Sequence, residues 1–229
     1  MHKRMTIKTV GLITYQFPHL KTEQVLQRLL QKDYTLKMYA LPFVLRKPRE
    51  VLFAHRPDQS NAVHPQVLAK AHGIPYIACE KDTEIDSSCD VYLVLIGKVL
   101  SAECVANIKV FNAHAGIIPS SRGLDAFKWA VYEMKPLGVT LHFIDAEIDA
   151  GKIIAVVPTN VYATDSLTTL ARRHYENEID CQSRFGDYLG NPQNLFTDIE
   201  ESEAKRRMPQ SIERELVKMF PKYVERYAR

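Results

Sequence analysis

Residues 90–96 read Asp-Val-Tyr-Leu-Val-Leu-Ile, and apolar side chains run without interruption from Val91 to Ile96. A continuous apolar run of this length is typical of a parallel strand that is buried on both faces of its sheet. The segments on either side alternate between strand and helix patterns, as in sheets whose crossovers place helices on both faces. We therefore predict an α/β fold with a doubly wound, mostly parallel sheet, and a ligand site outside the carboxyl ends of its strands.

The other elements follow from hydrophobic periodicity and from cap and turn residues. Strands are predicted at 6–14, 36–43, 51–55, 75–79, 90–96, from 110 onward, at 139–144 and at 152–157. Helices are predicted at 21–31, 61–72, 102–107, 126–132, 165–189 and 211–227. In the long helix, Asp165 is the expected N-cap and Gly190 the expected stop.

Composition narrows the classes of function. The 229 residues are 46% hydrophobic and 25% charged, which is ordinary for a soluble globular chain. No apolar run approaches the roughly 18–20 residues of a membrane helix, and no apolar core follows the basic N-terminus as in a secretory signal. The four cysteines are widely spaced, and the net charge of +3 is too small to indicate nucleic acid. We expect a cytoplasmic protein with reduced thiols, no metal, and neither nucleic acid nor membrane as a partner.

Several familiar motifs are absent from the sequence. It contains no GxxxxGK[ST], no GxGxxG, no HExxH and no GxSxG pattern. Their absence argues against P-loop enzymes, kinases and classical dehydrogenases.

One pattern does carry chemistry. Asn112 and His114 lie two residues apart on a predicted strand, so their side chains should point to the same face, within reach of an acid in the loop 145–151. Imidazole can accept the proton of an attacking amine, and a carboxylate can orient that imidazole. An asparagine N–H can stabilise the negative charge that develops on a carbonyl oxygen. The set suits acyl-type transfer to an amine.

The ordered string from Asn112 to Ile154 resembles the folate-dependent formyltransferases. That superfamily includes glycinamide ribonucleotide, methionyl-tRNA and nucleotide-sugar N-formyltransferases. The resemblance implies a Rossmann-like fold and direct formyl transfer from 10-formyltetrahydrofolate, a co-substrate that needs no metal. It also implies that Asn112 is the oxyanion donor, His114 the catalytic histidine and Asp149 the catalytic acid.

The resemblance extends to a cofactor site. It implies that the loop after the central strand lines the folate pocket and that a second segment grips the pterin through its backbone. The first loop supplies Gly97, Lys98, Val99 and Leu100, and the second segment supplies Ile144, Asp145, Ala146 and Ile148. Lys98 either binds the glutamate tail of the cofactor or lies in solvent, and Asp145 either contacts the cofactor or forms loop hydrogen bonds.

The chain is most like the nucleotide-sugar N-formyltransferases. It lacks the glycine-rich loop of the purine enzyme, and the segment after Gly190 is too short for the β-barrel domain of the tRNA enzyme. Arg122-Gly123 followed by Trp129 resembles the acceptor-site stretch of the sugar enzymes. Arg122 contacts a diphosphate or is a solvated loop charge, and Trp129 stacks on a base or belongs to the core. His142 is expected to be structural.

We therefore expect residues 1–190 to form a formyltransferase catalytic domain and 191–229 a C-terminal extension. The extension is expected to dimerise through an apolar helix face, which comprises Leu216, Val217, Met219 and Phe220. By resemblance, the acceptor is a nucleotide-linked, dTDP-type amino-dideoxy sugar used for lipopolysaccharide O-antigen or another surface polysaccharide. The alternatives are a methionyl-tRNA formyltransferase that lacks its C-terminal domain and a catalytically silent folate or nucleotide-sugar binding protein.

Overall fold

A seven-stranded sheet lies at the centre of the computed structural model, which describes residues 7–45, 50–144, 152–190 and 201–229. The strands are β1 (Thr9–Tyr15), β2 (Thr35–Leu41), β3 (Tyr76–Ala78), β4 (Val91–Val94), β5 (Val110–His114), β6 (Gly138–Phe143) and β7 (Ile153–Pro158). Their spatial order is β3-β2-β1-β4-β5-β6-β7. The pairs from β3 to β5 are parallel, and β6 runs antiparallel to both β5 and β7. The predicted fold class is confirmed, with the switch in strand order between β1 and β4.

Helices cover both faces of the sheet. They are α1 (Leu20–Leu29), α2 (Pro65–Ala71), α3 (Ala102–Asn107), α4 (Ala126–Tyr132), α5 (Leu167–Ser183), α6 (Phe185–Gly190) and α7 (Gln210–Tyr227), with one 3-10 turn at Asp82–Glu84. One core layer joins α1, α2, α5 and α6 to the sheet, and the opposite layer includes α3. We call these the α5 face and the α3 face. None of the helices in the described ranges is both long and apolar enough to span a membrane.

The central strand β4 is buried on both faces, as its unbroken apolar run predicted. Val91 and Leu93 belong to the α5 face, whereas Tyr92 and Val94 belong to the α3 face. This alternation follows from the two-residue period of a strand.

The prediction of a strand at 51–55 is wrong. The backbone N–H of Leu52 donates to Glu213 Oε2 at 2.8 Å, and Phe53 lies against Phe127 with ring centroids 6.3 Å apart. This apolar segment therefore donates a hydrogen bond to a carboxylate of α7 and packs against α4, and it does not pair with the edge of the sheet.

The prediction of one helix over 165–189 is also wrong. The chain leaves the helical path at Arg184, which separates α5 from α6, and Gly190 is the last residue of α6. The N-cap is Ser166, whose hydroxyl accepts the Thr169 N–H in a capping box. Asp165 instead forms a two-bond ion pair with Arg173, with both N···O distances 2.7 Å.

The C-terminal helix α7 packs against its own chain. Leu216 and Phe220 are 0% and 8% exposed, in a cluster with Phe127 and Val131 of α4. The prediction that these two residues supply a dimer interface is therefore wrong, since their side chains are already covered. Val217 remains 50% exposed.

Candidate active site

Strand β5 brings Asn112 and His114 to one face of the sheet. Phe111 and Ala113 point into the core of the α5 face, so the intervening side chains point to the α3 face. Asn112 lies opposite His142 of β6, and His114 lies opposite Thr140. The shared orientation expected from the spacing is therefore present.

His114 is held by a backbone carbonyl. Its Nε2 lies 2.7 Å from the carbonyl oxygen of Ser121, and the residue is only 8% exposed. A carbonyl oxygen only accepts, so Nε2 carries the proton and the basic lone pair of the neutral ring is on Nδ1. Gly116 makes this contact possible, because a Cβ there would lie 2.4 Å from the Ser121 oxygen and 2.8 Å from His114 Nε2.

Asn112 is oriented by His142. Its Nδ2 lies 3.4 Å from His142 Nε2, and His142 Nδ1 lies 2.9 Å from the carbonyl oxygen of Phe143. Since that carbonyl accepts from Nδ1–H, Nε2 is the acceptor for the Asn112 amide. His142, which was expected from the sequence to be structural, thus fixes the direction of the Asn112 amide. The cross-strand register that joins the two residues leaves no local signal in the sequence.

The predicted folate loop follows the carboxyl end of β4. Gly97, Lys98 and Val99 are exposed, whereas Leu100 is buried in the α3 face. The loop is anchored at Ser101, whose N–H and hydroxyl donate to the Asp82 carboxylate at 2.6 and 3.1 Å.

The end of β6 carries the described part of the second predicted cofactor segment. Ile144 donates its N–H to Val110 O at 2.9 Å and packs against the same α3-face cluster as Leu100. The structure therefore brings Leu100 and Ile144 onto the face that carries Asn112 and His114.

The remaining catalytic and cofactor residues of the prediction lie outside the described residues. They are Asp149, Asp145, Ala146 and Ile148. Their roles stay predictions. In the ranges that the structure describes, no group of His, Cys, Asp and Glu side chains is arranged to hold a metal ion.

The predicted acceptor residues contact the C-terminal segment. Residues 201–208, which we call the strap, run beside the loop 119–125, with Lys205 N donating to Arg122 O at 3.0 Å. Gly123 has a φ of 87°, and a Cβ there would lie 2.3 Å from Lys205 O, so glycine is required. The Arg122 guanidinium lies 3.2 Å from Glu201 Oε1.

Trp129 also contacts the strap. Its indole N–H donates to Arg206 O at 2.8 Å, and the Lys205 ammonium lies 5.0 Å from the ring centroid. The substrate roles of Arg122, Gly123 and Trp129 stay predictions. Sequence patterns missed the strap because its contacts join positions about eighty residues apart.

A buried cluster of charged side chains, which joins α1 to α5, was also not predicted from the sequence. Glu178 of α5 lies 2.8 Å from the Lys21 ammonium and 2.6 Å from the Arg56 guanidinium. Burial opposes ionisation of Glu178, but Arg56 and Lys21 lower its pKa to about 2, so the carboxylate is charged. Arg56 remains 36% exposed, and the cluster therefore presents a cation to solvent.

Comparison with known proteins finds a family match over this region of the chain. Residues 80–184 match the formyl transferase family profile, a span that contains the 97–100 loop, Asn112 and His114. Over this span the chain is similar to the formyl transferase family.

Individual relatives carry different substrates in their names. The methionyl-tRNA formyltransferase of Azobacteroides pseudotrichonymphae genomovar. CFP2 is 32% identical over 133 residues, 50% of this chain and 41% of that protein. A sugar N-formyltransferase structure from Shewanella sp FDAARGOS_354 has a TM-score of 0.58 at 13% identity and covers 93% of this chain and 87% of that one. Phosphoribosylglycinamide formyltransferase from Bacillus halodurans has a TM-score of 0.55 at 18% identity, with coverage of 83% and 100%. The chain spans less than half the length of the curated relatives it matches first.

Proposed function

We propose that this protein is an N-formyltransferase that moves a formyl group from 10-formyltetrahydrofolate to the primary amine of a nucleotide-linked amino sugar. The observation that carries the proposal is the pair Asn112 and His114, side by side on β5 and each fixed by a contact. A fixed amide donor beside a fixed imidazole base suits transfer of a carbonyl group to an amine.

The loop after β4 fits the proposed co-substrate. A Cβ at Gly97 would meet nothing within 4 Å, and Val99 beside it is 68% exposed, so open space adjoins an apolar surface. Leu100 and Ile144 add apolar side chains on the same face. Such a lining suits a flat heteroaromatic ring. When bound, 10-formyltetrahydrofolate supplies an activated formyl group.

In this proposal, residues of the chain itself carry out the proton transfer and stabilise the developing charge. His114 accepts the proton of the attacking amine at Nδ1, because Nε2–H is engaged by the Ser121 carbonyl. Asn112 donates an amide N–H to the formyl oxygen as negative charge develops there, a contact worth about 10²–10³ in rate. By resemblance, Asp149 orients His114 and relays a proton, which would pass to the nitrogen of tetrahydrofolate as its bond to the formyl carbon breaks.

One comparison supports the sugar as acceptor. The sugar N-formyltransferase structure covers 93% of this chain, compared with 83% for the phosphoribosylglycinamide enzyme, so its fold accounts for more of the chain. The partly exposed Arg56 guanidinium suits a phosphate-bearing acceptor of either kind, a nucleotide sugar or a phosphoribosyl amine. In this proposal the acceptor is dTDP-linked, the product is a formamido sugar for surface polysaccharide, and the chain acts as a cytoplasmic homodimer.

A second candidate is formylation of methionyl-tRNA. It is favoured by the 32% identity to a methionyl-tRNA formyltransferase. It requires tRNA affinity that falls steeply with salt, because phosphate contacts release counterions.

The deciding experiment follows tetrahydrofolate release from 10-formyltetrahydrofolate. The acceptors are dTDP-linked 3-amino- and 4-amino-6-deoxyhexoses, with glycinamide ribonucleotide and methionyl-tRNA as comparison substrates. Turnover on one amino sugar alone supports the proposal and fixes the position of the amine. Turnover on methionyl-tRNA alone overturns the sugar assignment, and folate binding without transfer to any acceptor indicates a silent binding protein.

A further inference from the structure

We propose that Gln182 and His174 of α5 are positioning residues that fix the backbone of β5 and thereby aim Asn112 and His114. This inference rests on the proposed function. It follows from the way β5 is hydrogen-bonded on the side that faces β4.

Strand β5 loses its neighbour after two registered pairs. Tyr92 pairs with Val110 and Leu93 with Phe111, and β4 ends at Val94. On its other side, Val110 O accepts from Ile144 N, so the polar groups of the alternate residues turn toward β4. Beyond Phe111 these groups need other partners, because an unsatisfied buried peptide group is costly.

Gln182 takes the place of the missing strand. Its Oε1 accepts the Ala113 N–H at 2.7 Å, and its Nε2 donates to Phe111 O at 3.4 Å. The side chain is fully buried. The amide thus supplies the acceptor that a neighbouring strand would have offered to Ala113, and it adds a longer contact to the carbonyl of Phe111, the last residue of β5 that pairs with β4.

His174 holds the next alternate residue. Its Nε2 lies 3.2 Å from Ala115 O, and its Nδ1 lies 2.8 Å from Thr159 Oγ1. Because the carbonyl accepts from Nε2–H, the Thr159 hydroxyl must donate to Nδ1, and it accepts in turn from Asn177 Nδ2 at 3.1 Å. Burial lowers the pKa of His174 to about 4, which keeps the ring neutral at neutral pH.

The two contacts act on the same backbone stretch. His174 and Gln182 are eight residues apart, about two helical turns, so both project from one side of α5. They bind the peptide groups of residues 111, 113 and 115, whereas the side chains of Asn112 and His114 point to the opposite face. A shift of about 1 Å in this stretch would misplace both reacting side chains and can lower turnover about 100-fold.

The test uses Gln182→Leu and His174→Phe in the tetrahydrofolate-release assay. We expect each to lower kcat by about 10–100-fold while KM for 10-formyltetrahydrofolate stays within about 3-fold. His174→Gln, which keeps an N–H donor near the Nε2 position, should recover part of kcat. Cys181→Ala is the matched control, because it removes a buried side chain from the same helix without touching β5 hydrogen bonds.

An activity-independent measurement accompanies the kinetics. Hydrogen exchange of the Ala113 amide, followed by NMR, should quicken in Gln182→Leu and not in Cys181→Ala. Unchanged kcat in the Gln182 and His174 variants, or an equal loss in Cys181→Ala, refutes the positioning role alone. A wild-type chain that turns over no acceptor refutes the proposed function, and the positioning role with it.

Discussion

The two halves of the sheet share one apolar core but differ in the buried polar contacts that surround it. The parallel half from β3 to β4 is stabilised by apolar side chains such as Leu12, Leu26 and Leu93, all fully buried between sheet and helices. The half that carries Asn112 and His114 shares this apolar core and adds buried polar contacts between distant segments, such as Gln182 with Ala113, and Lys128 with Glu213 between the adjoining helices α4 and α7. Apolar burial tolerates substitution of similar volume, whereas a buried polar pair loses much when one partner is removed. The chemistry therefore lies in the half with the stricter requirements.

The largest expected effect comes from the ion pair between α4 and α7. Lys128 Nζ lies 2.5 Å from Glu213 Oε1, with side chains 2% and 0% exposed. Lys128→Met leaves the carboxylate buried without this cation and should lower the free energy of unfolding by about 3–5 kcal/mol. Urea denaturation provides the measurement.

Two controls sharpen that comparison. Lys128→Met combined with Glu213→Leu should recover most of the loss, because an apolar pair can replace a buried ion pair. Leu26→Met in the parallel half should cost less than about 1.5 kcal/mol. If Lys128→Met is no worse than Leu26→Met, the contrast between the halves is wrong.

The next effect concerns turnover rather than stability. Asn112→Ala removes the amide donor and should lower kcat about 10²–10³-fold with little change in unfolding free energy. Asn107→Ala, at an exposed position of α3, is the matched control and should leave kcat unchanged. Wild-type turnover in Asn112→Ala would remove Asn112 from the mechanism.

The same contrast explains which features could be predicted from the sequence. The bounds of α3 and α4 and the burial of β4 were predictable, because each depends on periodicity within one short segment. The segment 51–55 was mistaken for a strand because Leu52 binds Glu213, a partner 161 positions away. The residue that separates α5 from α6 is Arg184, which is neither proline nor glycine, so the sequence gives no signal for the break at that position.

The candidate site shows the same difference between local features, which could be predicted, and long-range contacts, which could not. The shared orientation of Asn112 and His114 follows from a two-residue spacing, which the sequence displays. The contacts that fix them, from His142 and the Ser121 carbonyl, depend on cross-strand register and loop path. Such contacts become visible only in three dimensions.

A smaller effect is expected where the strap meets the loop 119–125. Gly123→Ala forces a side chain into the positive-φ region and against Lys205 O, so we expect a loss of about 1–3 kcal/mol in unfolding free energy. Thermal unfolding measures it. The matched control is Gly73→Ala, which has a similar φ of 65° but nothing within 4 Å of the added Cβ. Equal losses of unfolding free energy in both variants would mean that the contact with Lys205 O adds nothing to the cost of the backbone strain.

The smallest effect comes from a polar contact near the surface, between Asp165 and Arg173 before and within α5. Hydrogen bonds from Arg173 hold the pKa of Asp165 below its ordinary value. A carboxyl with a lowered pKa contributes its full stability above about pH 4, and this contribution disappears as the pH falls through the lowered pKa. Asp165→Asn should therefore cost about 1 kcal/mol at pH 7, since the Arg173 side chain of the pair is partly exposed and is screened by solvent. The difference from wild type should shrink when urea denaturation is repeated at pH 3, and a difference that is unchanged or larger at pH 3 would show that the ion pair is not its source.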